Sequence, residues 1–107
     1  MVTIDDFAKL DIRVVVVLEA SWMEGSDKLL KLIVNDGEGQ RQILSGLGKS
    51  YQPEDLVGHQ YLAIVNLEPR MMMGEESQGM ILATGDTLEN LTLISPAKDV
   101  EAGSKIR

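Results

Sequence analysis

A phosphate-binding loop is the first kind of chemistry that the residue pattern suggests. The stretch "SGLGKS" ends in Gly48, Lys49 and Ser50, as such loops do. The motif also needs a glycine five residues before Gly48, where this chain has Ile43, and a helix directly after the serine, whose N-terminus holds the phosphate. The residues "YQP" follow instead. The sequence therefore argues against a nucleotide-phosphate site.

Acid–base, nucleophilic and metal chemistry find no better support. His59 is the only histidine, and there is no cysteine. No spacing gathers carboxylates around His59 for a metal, and no nucleophile elbow accompanies it. The acid pairs at 5–6 and 75–76 are adjacent in the chain, so their side chains diverge. We therefore expect no catalytic residue, no metal and no cofactor.

The loop at residues 66–80, "NLEPRMMMGEESQGM", is the most unusual stretch. It contains four of the six methionines, three of them consecutive, together with polar residues and two glycines. It lies between two apolar runs, "YLAIV" and "MILAT", that are typical of buried strands. Soft apolar side chains beside serine, glutamine and arginine are typical of a binding rim.

Composition indicates one domain, residues 1–107, with 44% apolar residues to form its core. No run approaches the roughly 20 apolar residues of a membrane span, and the N-terminus lacks a signal pattern, so a cytoplasmic protein without membrane contact is expected. The net charge of −7 opposes nucleic-acid binding as a bulk effect. Five cations nevertheless fall in the central part of the chain, which leaves room for a local basic face: Lys28, Lys31, Arg41, Lys49 and Arg70.

The strand signals come from β-branched runs and turn residues. "DIRVVVVLEASW" predicts a strand that is buried on much of both faces. "KLLKLIVND" and "QRQILSG" flank the hairpin signal at 35–39. "HQYLAIVNL", "GMILATG" and "LTLISP" predict further strands, and "VEAGSKIR" a terminal edge strand.

Two short helices complete the prediction. "TIDDFAKL" has an N-cap threonine, acids in its first turn and a short apolar face. Pro53-Glu54-Asp55 is a helix-start pattern between the third and fourth strands. This order predicts an all-β fold: a five-stranded Greek-key barrel of the OB type, with a short N-terminal helix, a short helix between strands three and four, and a C-terminal β extension. A β-sandwich is the alternative, but the interruption at 48–59 fits it less well.

Six motifs carry a resemblance to a known family. The segments "DFAKLDIRV", "GSDKLLKL", "RQILSG", "PEDLVG", "NLEPR" and "ESQGMILA" occur in this order and at fitting separations. Together they resemble the tRNA-binding domain family, over essentially the whole chain. The family includes the C-terminal domain of many bacterial methionyl-tRNA synthetases, a free-standing structure-specific tRNA-binding protein and the EMAP II-like cytokine domain.

The resemblance implies a non-catalytic OB barrel that binds tRNA by shape. It also implies a homodimer, built in those relatives by the N-terminal helix and the segments after the barrel, and a partnership with the catalytic body of a synthetase. OB barrels bind nucleic acid across strands two and three and the neighbouring loops. Asn66, Arg70, Ser77, Gln78 and Met80 match the family's loop motif around the fourth and fifth strands. Together with this binding face, the resemblance implies that ten residues contact tRNA: Lys28, Lys31, Arg41, Ser45, Lys49, Asn66, Arg70, Ser77, Gln78 and Met80.

The chain departs from the family pattern in the middle of this loop. Glu68 and Met71 stand where lysines are common, so that only Arg70 is a cation between 67 and 74. Fewer phosphate contacts predict weaker binding with a flatter salt dependence. Two other functions therefore remain open: a dimerisation or protein-interaction module with weakened RNA binding, and a chaperone resembling CsaA. Asn66 and Ser77 could equally cap backbone groups in their loop, and Trp22 could be a stacking surface or a lid on the core.

Overall fold

The computed structural model describes all 107 residues and contains nine short strands and one α-helix. The helix, α1, spans Ile4–Ala8. The strands are β1 (Ile12–Trp22), β2 (Leu30–Asn35), β3 (Gln40–Ser45), β4 (Gln60–Ile64), β5 (Arg70–Met72), β6 (Glu75–Ser77), β7 (Met80–Ile81), β8 (Ala83–Thr84) and β9 (Thr92–Leu93). No helix has the length and apolar character needed to cross a membrane.

Five of these strands form an antiparallel sheet in the order β3-β2-β1-β4-β7. The sheet curls into a nearly closed barrel with OB-like topology, which confirms the predicted fold class. The strand β1 pairs with β4 through its first half and with β2 through its second half. Between Val17 and Glu19 the register with β2 shifts, which leaves Leu18 as the extra residue. Such a bulge bends a strand, and here it lets one strand serve both sides of the barrel.

The barrel interior is filled by alternating residues of the long strands. Leu30, Leu32 and Val34 of β2 are fully buried, while the residues between them are half-exposed. In β1, however, both Val14 and Val15 are buried. Val15 belongs to the barrel core and Val14 does not, so the first half of β1 is buried on both faces. Residues 18–22 are mostly exposed, and for this second half the prediction of burial on both faces is wrong.

The predicted helix between strands three and four is a single 3-10 turn, Pro53–Asp55. Proline begins the turn, where its missing N–H costs nothing. The turn directs Leu56, which is completely buried, into the base of the barrel core. The predicted N-terminal helix is also short. Thr3 and Asp6 form a reciprocal capping box, with each side chain accepting a hydrogen bond from the other's backbone N–H.

The C-terminal β extension is an extended tail that runs along the outside of β1. The Val14 N–H donates to the Ser104 carbonyl at 2.9 Å, and the Ile106 N–H donates to the Ile12 carbonyl at 2.8 Å. Only one pair, Arg13 and Lys105, forms a regular bridge, so the predicted edge strand is an isolated bridge. Close to it, Gly103 meets Gly37 of the β2–β3 turn, and both residues have positive φ.

A buried ion pair locks the β2–β3 turn. Asp36 is 4% exposed, and its carboxylate accepts hydrogen bonds from the N–H groups of Glu38 and Gly39. The Arg41 Nε donates to the same carboxylate at 2.7 Å. The Arg41 Nη1 donates to the carbonyls of Val65 at 2.8 Å and Gln78 at 2.7 Å. One guanidinium therefore ties the turn to Val65, directly before the 66–80 loop, and to Gln78, near the end of that loop.

The pKa of Asp36 depends on these hydrogen bonds. Burial alone would raise the pKa of this carboxyl, but the guanidinium of Arg41 and the backbone N–H donors outweigh it, so that its pKa lies below the ordinary value. A carboxyl with a depressed native pKa stabilises the fold above its unfolded-state pKa and loses that contribution as pH falls through the native value.

The first prediction concerns Asp36→Asn. At neutral pH we expect a free energy of unfolding lower by about 1.5–3 kcal/mol, because a hydrogen bond to a charged group is lost. The deficit should shrink as pH falls below the ordinary carboxyl value of 3.8, because the unfolded wild-type chain then binds a proton at Asp36 that the native chain, with its lower pKa, binds only at still lower pH. Urea unfolding between about pH 7 and pH 3 measures it. Asp27→Asn, an exposed control, should change stability by less than about 0.5 kcal/mol. A deficit independent of pH would contradict the assignment.

The second prediction concerns Gly103→Ala. A Cβ at this position would lie 2.7 Å from the Gly37 Cα and 2.9 Å from the Asp36 carbonyl oxygen, on a backbone with φ of +89°. Strain of this kind costs about 1–3 kcal/mol, so the urea midpoint should fall clearly. Gly39→Ala is the matched control, because no atom lies within 4 Å of the position its new methyl group would take and its φ is not positive. Equal stability of the two variants would show that the tail does not press on the turn.

Candidate nucleic-acid interface

A groove of about 290 Å³ opens between the end of β3 and the 66–80 loop. Its lining comes from three segments: the end of β3, the chain before and within β5, and the chain from the end of β6 to β7. We call it the loop groove. It is lined by Leu44, Ser45, Gly46, Leu67, Glu68, Arg70, Met72, Ser77, Gly79, Met80 and Ile81.

Gly79 allows the close packing behind this groove. A Cβ on Gly79 would lie 2.8 Å from the carbonyl oxygen of Ile64 and 3.3 Å from the Ile43 side chain. Only a residue without a side chain lets the segment after β6 pass so near to β4 and β3. The close neighbours of Gly79 are therefore protein atoms of β4 and β3.

The β5–β6 hairpin forms one side of the groove. Its two-residue turn, Met73-Gly74, has positive φ at both positions, as a type I′ turn requires. Met72 points inward and packs against the small apolar cluster of Met23, Leu29 and Leu44. Met71 and Met73 are exposed by 64% and 57%. Alternation along β5 therefore divides the three methionines into one anchor and two surface residues.

Side chains of the loop satisfy the outer edge of β3. The Leu44 N–H donates to the Ser77 hydroxyl oxygen at 3.0 Å, and the Gln42 N–H donates to the Gln78 side-chain oxygen at 3.0 Å. The Ser77 hydroxyl in turn donates to the Gly79 carbonyl at 3.1 Å. These bonds close the barrel where a free strand edge would otherwise remain. Ser77 and Gln78 therefore have structural tasks, whatever else they contact.

Asn66 and Arg41 are also engaged within the chain. The Asn66 side chain accepts from the Asp11 N–H at 2.8 Å and donates to the Lys9 carbonyl at 2.7 Å. It thus fastens the segment between α1 and β1, and it does not line the groove. The guanidinium of Arg41 is occupied by Asp36 and two carbonyls, as described above. Within the chain, Arg41 is bonded through its Nε and Nη1, and Asn66 through both its side-chain oxygen and its nitrogen, so only the Nη2 of Arg41 is left without a partner for the expected tRNA contacts.

The lysines form weak pairs or none. The Lys31 Nζ lies 2.8 Å from the Glu75 carboxylate, and the Lys49 Nζ lies 3.6 Å from that of Asp27. Such surface pairs contribute at most about 1 kcal/mol and exchange readily for a phosphate. None of the ion pairs in the structure involves Lys28 or Arg70. These two exposed cations are the most available to a ligand.

The expected residues gather in one region, with two exceptions. Ser45, Arg70, Ser77 and Met80 line the groove, and Met80 is 53% exposed. Lys28 and Lys49 lie beside the β3 end, because the Gly48 N–H donates to the Lys28 carbonyl at 2.7 Å. Lys31 and Gln78 flank the hairpin through their bonds to Glu75 and Gln42. Asn66 and Arg41 are set back from this surface.

Residues that the sequence prediction did not include also belong to the groove. Leu67, Glu68 and Met72 line it. Glu68 is not among the expected contacts because a carboxylate is unfavourable beside phosphates, and its place between Asn66 and Arg70 is the only sign in the sequence that it lines the groove. Trp22 is 42% exposed, and its ring lies on Gly48, where a Cβ would overlap the indole. Trp22 therefore covers the backbone of Gly48, next to Lys49, and remains partly exposed.

No cluster of three or more histidine, aspartate or glutamate side chains is placed to hold a metal ion. His59 lies in a separate shallow depression with Gln60, Tyr61 and Ser95. What the loop groove offers is an apolar lining, one cation and one carboxylate. This combination suits a ligand with a flat apolar face and polar edges.

Comparison with known proteins gives a consistent result. The family model described as "Putative tRNA binding domain" matches residues 12–105. The methionine–tRNA ligase of Caldanaerobacter subterraneus is 49% identical over 105 residues, which is 98% of this chain and 16% of that protein. The ligase of Deinococcus radiodurans is 45% identical over 107 residues, again 16% of its length. The chain thus spans about one sixth of these curated relatives.

Solved structures of similar shape include proteins of two kinds. A MetRS related protein of Pyrococcus horikoshii has a TM-score of 0.93 and 32% identity, covering 100% of this chain and 98% of that one. The chaperone CsaA of Bacillus anthracis has a TM-score of 0.92 and 31% identity, covering 100% and 99%. From the match over 12–105 and the ligase relatives, the chain belongs to the tRNA-binding domain family.

Proposed function

We propose that the chain is a non-catalytic module that binds tRNA by shape through the loop groove and the cations around it. The observation that carries the proposal is that Arg70, Met80 and Ser45 line one groove, while the backbone of Lys28 is bonded to Gly48, just past the end of β3 that lines it. Folded tRNA offers phosphates, 2′-hydroxyls and unstacked bases at its corner. Cations can pair with the phosphates, and the methionine thioether can lie against a base.

The charge of the chain sets the strength of this binding. The net charge is −7, and Glu68, Glu75 and Glu76 all lie in the same loop region as Arg70. Each phosphate contact adds to both affinity and salt dependence. With few free cations, we infer modest affinity and a shallow dependence on salt concentration.

Such a module acts best when it is attached to an enzyme. A weak site fused to a synthetase raises the local concentration of tRNA near the catalytic body without performing chemistry itself. The ligase relatives, in which the matching region is 16% of the protein, support this context. We accordingly propose the catalytic body of a methionyl-tRNA synthetase, in the cytoplasm, as its working partner.

A homodimer is the second part of the proposal. Helix α1 buries none of its residues, and Ile4 is 77% exposed. Between α1 and the tail lies an apolar groove of about 480 Å³ lined by Ile4, Phe7, Ala8, Leu10 and Ile106, with Lys105 and Arg107 at its margin. A helix of five residues is not stable on its own. The same face of a second copy, related by a two-fold axis, would cover it.

A second candidate function rests on the methionine pair at the hairpin tip. Met71 and Met73 are both more than half exposed, and such surfaces adapt to varied apolar partners. The likeness to the chaperone CsaA of Bacillus anthracis supports the same function. Suppression of aggregation of a model substrate, without retention of tRNA, would favour this function over the first.

The third prediction tests tRNA binding. Filter binding of unfractionated tRNA at about 50 mM and 200 mM salt should show retention that weakens with salt. Replacing both Lys28 and Arg70 by glutamine should weaken binding and lower the slope of log K against log salt by roughly one per lost phosphate contact. Lys98→Gln, outside the groove lining, is the control for loss of a cation elsewhere and should leave the slope unchanged. Absence of retention even at low salt would refute the proposal.

The fourth prediction tests the dimer. Burying an isoleucine contributes about 1.5–3 kcal/mol, and a two-fold interface contains it twice. Ile4→Ser should therefore raise the dimer dissociation constant by about 100-fold or more, as measured by sedimentation velocity over a range of concentrations. Val57→Ser removes an apolar side chain that is 45% exposed elsewhere and should not change the dissociation constant. A monomeric wild-type chain, or equal dissociation of the two variants, would contradict the proposed interface.

A further inference from the structure

Glu68 is the feature of the loop groove that phosphate binding does not explain. It lines the groove and is exposed. None of the ion pairs in the structure involves it. A carboxylate repels phosphates and can only accept hydrogen bonds. If RNA enters this groove, as the proposed function requires, the group that meets Glu68 must be a hydrogen-bond donor.

The remaining lining indicates what kind of group this is. Leu67 and Met80 are 41% and 53% exposed at the surface of the groove, while Ile81 is buried beneath. A base that is splayed out of its stack has two flat apolar faces, which pack well against leucine and methionine side chains. A ribose or a phosphate would leave these apolar walls without a partner. The groove therefore suits the base of a nucleotide.

Among the four RNA bases, guanine matches the carboxylate best. Its Watson–Crick edge carries two adjacent donors, N1–H and the N2 amino group, which can meet the two oxygens of one carboxylate. Adenine and cytosine each offer a single amino group beside an acceptor, and uracil offers one N–H between two acceptors. An acceptor placed against the carboxylate would be left without a partner, which is costly.

We propose that the loop groove holds one unstacked guanine of the bound RNA, with Glu68 accepting hydrogen bonds from its Watson–Crick edge. Leu67 and Met80 pack on the faces of the base, and Arg70 meets an adjacent phosphate. The glutamate is thus a specificity element within a surface that otherwise reads shape. This assignment deepens the proposed tRNA function and depends on it.

The test uses single-stranded RNAs of five nucleotides that differ only at the central base. Fluorescence anisotropy compares central guanine with inosine, which lacks the N2 amino group, and with adenine. One bidentate base contact discriminates by about 5- to 100-fold, so guanine should bind at least about fivefold more tightly than either. In the Glu68→Gln variant this preference should fall to less than about twofold.

Two further variants separate the contributions of the groove. Arg70→Gln should weaken all three RNAs by the same factor, because it removes a phosphate contact and no base contact. Glu76→Gln removes the same charge from the adjoining β5–β6 hairpin, outside the groove lining, and it should keep the full preference for guanine. A preference lost equally in Glu76→Gln would show that overall charge is responsible, which overturns the proposal.

The remaining outcomes distinguish this inference from the function beneath it. Retention of tRNA without a preference among the three RNAs overturns the guanine assignment and leaves the tRNA-binding function standing. Failure to bind tRNA or any of the RNAs overturns both. Displacement of the central-guanine RNA by an apolar peptide that binds more tightly would assign the groove to a protein segment and overturn the proposal.

Discussion

The hydrogen bonds donated by the Arg41 guanidinium are the interaction on which the rest of the structure depends. It joins the carboxylate of Asp36 in the β2–β3 turn to the carbonyls of Val65 and Gln78. Val65 directly precedes the 66–80 loop and Gln78 lies near its end, so one side chain fixes both ends of that loop against the barrel. Arg13 supports the same turn from β1, through the Asp36 carbonyl at 3.2 Å and the Glu38 carboxylate at 3.0 Å. Removing Arg41 would leave the buried carboxylate of Asp36 without its ion pair, which is costly.

Closing the barrel and binding a ligand compete for the same polar residues. Ser77 and Gln78 satisfy N–H groups along the edge of β3, and Asn66 holds the approach to β1. Their hydrogen-bonding atoms are therefore largely spent within the protein. What remains for a ligand is a small set of exposed groups: Arg70, Lys28, Glu68 and the thioether of Met80. Hydrogen bonds to the barrel thus fix the loop at both ends, and few of its polar groups remain exposed.

The sequence indicates the strands more securely than the roles of their side chains. β-branched runs and the turn residues at 35–39 predicted the barrel, because alternation and turn chemistry act locally. The tail was predicted only as an edge strand, since its contact with Gly37 depends on two glycines far apart in the chain. Arg41, Asn66 and Ser77 have the same residue types whether they bind RNA or the backbone. The choice between these roles depends on distances that a sequence does not contain.

Replacing cations by methionine and glutamate in this loop changes how the surface can recognise RNA. A lysine at the position of Glu68 would bind phosphate and release counterions, which gives affinity without base discrimination. A carboxylate in a groove with apolar walls gives up that affinity and gains sensitivity to the donors on a base edge. Met72 anchors the hairpin in the cluster of Met23, Leu29 and Leu44, so the groove keeps its shape without a cationic rim. On the proposed function, the charge and the shape of the RNA-binding surface are therefore both set within one short loop, which the barrel holds in place.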